Sequence, residues 1–80
     1  MDSSRVLKLR KRLGWGQVQM ARALGVAQYV TISHWETGFR EPKGITERFL
    51  CYLECLSEPE LKKAARYLDA LSKVEKHAKK

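Results

Sequence analysis

Gln17-Val18-Gln19-Met20-Ala21-Arg22-Ala23-Leu24-Gly25-Val26 and, after five further residues, Ile32-Ser33-His34-Trp35-Glu36-Thr37-Gly38-Phe39-Arg40-Glu41-Pro42 decide how the chain folds. Met20, Ala21 and Leu24 recur at i, i+1 and i+4, the spacing of one inward helix face. That spacing predicts a short helix over about Gln17 to Leu24, and Gly25 then breaks the chain. Ile32 and Trp35 recur at i, i+3 and predict a second helix over about Tyr29 to Thr37, stopped by Gly38. Ala21 is small, as a close helix crossing requires. Val26, Ile32 and Trp35 plug the angle between the two helices, which pushes the outer face of the second one away from the body.

Outward from this centre the chain reads as helix throughout, with no segment alternating long enough to suggest a strand. Val6, Leu9 and Leu13 give a stripe for a first helix over about Ser4 to Leu13, capped by Ser3 or Ser4 and ended by Gly14. Trp15 anchors the connector that follows. Phe39 to Gly44 reads as a loop. Ile45, Phe49, Leu50, Leu53 and Leu56 predict a fourth helix over about 46–56. Ser57-Glu58-Pro59-Glu60 is a capping box with proline in the first turn, and it opens a fifth helix over about 58–76. Leu61, Ala64, Ala65, Leu68, Leu71 and Val74 form its stripe, and His77 to Lys80 are expected to fray. The reading is a single all-α domain over 1–80.

Bulk properties narrow the function. The 80 residues carry 16 Lys and Arg against nine Asp and Glu, a net charge of +7. Residues 1–44 hold eight basic and three acidic side chains, so the excess sits in the N-terminal half. A polyanion suits that bias, because each neutralised phosphate releases counterions. No apolar run approaches the roughly 20 residues of a membrane span, and the N-terminus lacks the apolar core of a signal peptide. The expected location is the cytoplasm. Cys51 and Cys55 lie one helical turn apart, which is poor disulfide geometry, and no further ligands lie close enough in sequence for a zinc site. No paired carboxylates, nucleophile with a base, or phosphate loop stand out. No metal, cofactor or enzymatic activity is expected.

The stretches LRKRLGWGQVQMARALGV and ISHWETGFREP resemble the Cro/CI-type phage repressors, the XRE family. The likeness covers about residues 3 to 56. It implies a five-helix lambda-repressor-like DNA-binding domain with a helix-turn-helix at about 17–37. It also implies roles. Gln17 is similar to the glutamine that holds a DNA phosphate, and Arg40, with help from Lys43, to the loop cation near the minor groove. Arg10 and Glu36 are similar to an ion pair that joins the first and third helices. The partner implied is a double-stranded DNA operator, and the activity is an autoregulatory repressor. Such chains include regulators of phages and mobile elements, antitoxins, restriction-modification controllers and anti-CRISPR-associated repressors.

One departure from the family bears on the reading helix. Gly25 to Ile32 spans seven steps, one more than the family pattern. If the extra residue sits in the turn, Gln28 is the cap, and Tyr29, Val30, Thr31, Ser33 and His34 form the exposed start of the helix. If Ala27 keeps the cap, the helix is longer and its early residues rotate. The first register keeps Ile32, Trp35 and Glu36 in their mutual spacing and is favoured. Its face holds no arginine or lysine. Gln28 can bond adenine twice, Tyr29 and Val30 can meet a thymine methyl, Thr31 and Ser33 can bond a base edge or phosphate, and His34 can donate to guanine. A second departure is Gly16 where a serine or threonine usually caps.

The C-terminal stripe carries a further expectation. A core this small leaves apolar surface over, so Phe49, Leu53, Leu61, Ala64, Ala65, Leu68 and Leu71 are candidates for a two-fold homodimer interface. Simple closure of the domain by the same helix is the alternative. A third reading has the C-terminal helix bind a partner protein, as in an antitoxin. Lys73, Lys76, Lys79 and Lys80 form a basic end.

Overall fold

In the computed structural model, glycine governs where the first three helices stop. Gly25 takes φ 73° and ψ 23°, its N–H donates to Arg22 O at 3.2 Å, and the Val26 N–H reaches back to Ala21 O at 2.8 Å. These two bonds satisfy carbonyls that the helix end would otherwise orphan, and only a residue without Cβ takes that backbone at little cost. The structure describes the backbone of residues 1–78 and the side chains of residues 1–73. Among the described residues there are five helices and no strand: α1 Ser3–Leu13, α2 Gln17–Leu24, α3 Tyr29–Thr37, α4 Ile45–Glu54 and α5 Glu58–Ala78.

The cap of α1 differs from expectation. Asp2 holds it, accepting the Arg5 N–H at 3.0 Å and the Ser4 hydroxyl at 2.8 Å. A carboxylate one position earlier makes the stronger, charge-assisted bond and leaves both serines inside the first turn. At the start of α5, the Ser57 N–H and hydroxyl both donate to Glu60 Oε1, at 3.3 and 3.1 Å. That is the returning half of the expected capping box. The fourth helix starts at Ile45 and ends at Glu54, one and two residues before the expected limits, and the fifth runs on to Ala78. Val74, Lys76 and His77 lie where side chains are not described, and Lys79 and Lys80 lie outside the described residues.

α1 and α2 form the middle of the molecule. α3 and α5 each pack against both of them, and α4 packs against α1. Val6 and Leu9 of α1, Trp15 of the connector, Met20 and Ala21 of α2, Ile32 and Trp35 of α3, Leu50 and Leu53 of α4, and Leu61 of α5 make one core. Leu13, Leu24, Val26, Phe49, Leu56, Ala64, Ala65 and Leu68 pack against it, half-buried. Ile45 was expected in the stripe of the fourth helix. It is 81% exposed, because the helix begins there and turns its later residues, Leu50 and Leu53, to the core.

This packing corrects part of the expected dimer surface. Leu53 and Leu61 are each only 1% exposed, so they fill the domain's own core and are not available to a second chain. Phe49, Ala64, Ala65 and Leu68 lean on the same core, and only Leu71 of the seven is counted as exposed. The cause is size: α4 packs mainly against α1, so the stripe of α5 must close the side of α1 and α2 that α3 leaves open.

Candidate nucleic-acid interface

α3 is held by its second half. Ile32 is fully buried and Trp35 nearly so, while Tyr29 is 56% exposed and Val30 38%. Gln28 caps the helix in extended backbone, and its side chain makes no capping bond. This is the register in which Gln28 caps. Gln28, Tyr29 and Val30 lie in solvent, and Thr31, Ser33 and His34 are half-buried. The first turn of α3 holds no acidic residue, so its partly positive N-terminal end remains uncompensated by a carboxylate of that turn.

A single carboxylate organises the opposite end. Glu36 accepts from Arg10 Nε, from Arg10 Nη2 at 3.1 Å and from Gln17 Nε2 at 3.0 Å. Arg10 Nη1 also donates to the Trp15 carbonyl at 2.9 Å. The side chains of Arg10 and Glu36 are 16% and 7% exposed. One network therefore ties α1, the connector, the first residue of α2 and the end of α3. The expected pairing of Arg10 with Glu36 is present. Gln17 joins it, and its amide keeps a second N–H for an incoming acceptor.

The loop after α3 contains a feature that sequence reasoning missed. Phe39 is 70% exposed, with its ring centroid 4.8 Å from that of His34 and 5.8 Å from Arg40 Cζ. The Arg40 N–H donates to His34 O at 3.2 Å. His34, Phe39 and Arg40 thus form one unit across the end of the helix, with Arg40 exposed and Lys43 exposed nearby in the same loop. The signal available was an aromatic residue directly after a helix-stopping glycine in a polar loop.

Some cations are paired, and others, Lys8, Lys11, Arg48, Lys62, Lys63 and Arg66 among them, make no ion pair within 4.0 Å among the described residues. Arg5 pairs with Glu54 at 2.5 Å and Arg12 with Glu58 at 2.7 Å, both at the C-terminal helices. Among the described residues, Arg22, Arg40 and Lys43, on the elements flanking α3, make no ion pair within 4.0 Å. Cys51 is half-buried and Cys55 exposed, both as free thiols. No helix among the described residues is long and apolar enough to cross a membrane, and among them no group of His, Cys, Asp or Glu could hold a metal ion.

Comparison with protein-family models, with curated proteins and with solved structures finds no match for this chain. The functional reading therefore rests on the geometry above.

Proposed function

We propose that this chain is a sequence-specific double-stranded DNA-binding regulator. In this reading α2, the turn and α3 act as a lambda-repressor-like helix-turn-helix, and α3 enters the major groove by its N-terminal half. The observation that carries it is the outward start of α3, with Gln28, Tyr29 and Val30 in solvent, above the buried Ile32 and Trp35. Arg22, Arg40 and Lys43, unpaired among the described residues, flank that face and suit phosphates on either side of the groove. Gln17 offers its remaining N–H to a phosphate while Glu36 holds it in place. In this reading the bound domain blocks a promoter by occupancy, as an autoregulatory repressor does. A two-fold dimer on an inverted repeat would set half-site centres about 34 Å apart.

Selection of bound duplexes from a random pool, with affinity measured against salt, tests the reading. Tyr29→Ala and His34→Ala are expected to reduce discrimination between sites by about 1–3 kcal/mol each where they read a base. Arg40→Ala is expected to weaken all sequences alike and to flatten the salt dependence by about one phosphate. Failure to retain any duplex at low salt overturns the proposal.

A second reading has one supporting observation. Tyr67 is 66% exposed and Leu71 37% on α5, and Ile45 and Tyr52 are 81% and 59% exposed on α4. These residues, rather than Leu53 and Leu61, are what the molecule offers to a second copy or to another protein, as in an antitoxin. Sedimentation at tens of micromolar separates the outcomes. A monomer with and without DNA refutes the dimer. A complex lost on Tyr67→Glu while duplex binding persists supports a partner on α5.

A further inference from the structure

Between α2 and the start of α3 runs an open groove of about 340 Å³, walled by Val18, Ala21 and Arg22 of α2, Val26, Ala27 and Gln28 of the turn, and Tyr29 and Val30 of α3. Val18 is 49% exposed, Val30 38% and Tyr29 56%. Three large apolar side chains are therefore gathered in solvent on a strongly basic protein. Local structure does not account for them. Valine and tyrosine are only moderate helix formers, and an exposed helix position gains nothing from them unless something packs there. The valines are stiff about χ1, so the groove keeps its shape without a ligand.

The chemistry of the occupant follows from what the groove has and lacks. Its walls are mainly apolar, with Arg22 and Gln28 as the polar members, and α3 carries no arginine or lysine to grip guanine. Arg22 stands at its rim without an ion pair among the described residues, which suits an anionic backbone beside an apolar group. In the major groove the apolar substituent on a base edge is the C5-methyl of thymine. We propose that the groove between Val18 and Val30 receives a thymine C5-methyl group of the bound duplex, so that this base pair is read by apolar contact with both helices. The proposal rests on the DNA-binding reading above and adds Val18, on α2, to the residues that set specificity. The same pocket accepts 5-methylcytosine, which carries its methyl group at the same ring position, and disfavours unmodified cytosine.

The test uses the tightest duplex recovered from a random-sequence pool. Each thymine is replaced singly by deoxyuridine, which removes the methyl group and leaves the pairing intact. At one thymine in each half-site, binding is expected to weaken about four-fold, the worth of one buried methyl-sized group. Where cytosine stands at that position, its 5-methyl form is expected to bind about four-fold more tightly. The exposed changes Val18→Ala and Val30→Ala, checked for an unaltered helical spectrum and melting temperature, are expected to bind the thymine and deoxyuridine duplexes equally. Wild-type protein indifferent to every deoxyuridine substitution, or a recovered site without thymine, overturns the groove assignment alone. So does a deoxyuridine effect that survives in both valine variants. Failure to recover any bound duplex overturns the DNA-binding reading and this proposal together.

Discussion

α3 and α5 pack against the same two helices, α1 and α2, yet they are held differently. α3 is pinned near its C-terminal end, by Ile32, Trp35 and the Glu36 network, and its first turn stands in solvent. α5 is attached along a stripe, with Leu61 buried and Ala64, Ala65 and Leu68 laid against the core. A helix pinned at one end keeps the other end for a ligand. A helix laid down along its length uses its apolar face for stability and has only residues such as Tyr67 and Leu71 left to offer. α5 thus closes the domain, while the start of α3 stays uncovered.

The sharpest way to break this contrast is at the pin. Glu36→Ala leaves Arg10 with one of its partners gone and the Gln17 amide without its acceptor. The loss expected is about 3–5 kcal/mol, as for removal of one side of a largely buried pair, read by chemical denaturation. Arg5→Ala, at the far more exposed pair with Glu54, is expected to change stability much less, because water and salt screen it. Equal losses at the two sites contradict the role given to Glu36.

Next in size is the attachment of α5. Leu61→Ala removes a side chain that is 1% exposed and is expected to cost about 2–5 kcal/mol. Leu71→Ala, at 37% exposure, is expected to cost well under that in the same denaturation experiment. If Leu71→Ala proves as costly as Leu61→Ala, and the cost grows with protein concentration, Leu71 lies in an interface between copies.

The smallest effect concerns the Asp2 cap, at the start of the helix that both α3 and α5 rest on. The Arg5 N–H, and then the Ser4 hydroxyl, hold the Asp2 carboxyl below its ordinary value. A depressed folded value means that the cap stabilises fully above the unfolded value of about 4 and is lost as pH falls through the depressed one. The gap in melting temperature between the wild type and Asp2→Ala is expected to be present near neutral pH and to close in acid. A gap that stays constant contradicts the ionised cap.

Within the candidate site, the register of α3 was legible before any coordinates, because Ile32, Trp35 and Glu36 had to keep their spacing on one face. The pairing of Arg10 with Glu36 was legible through family likeness, since nothing local links residues 26 positions apart. The involvement of Gln17 in that pair was not legible, nor was the cluster of His34, Phe39 and Arg40. Both depend on where the end of α3 meets the start of α2 and the following loop. Val18 escaped notice for the same reason: on α2 alone it is an ordinary exposed residue, and it becomes a wall only when Val30 arrives from α3.

Sequence alone determined the number of helices, the glycine stops of the first three and most of the inward residues, because periodicity and backbone preference act within a few residues. Tertiary structure decided which apolar stripes were covered and by what. It turned Ile45 outward, closed Leu53 and Leu61 into the core, and opened the groove between α2 and α3. The reason is geometric. A helical stripe records that a face avoids water, whereas the identity of the covering surface depends on angles between helices far apart in the chain.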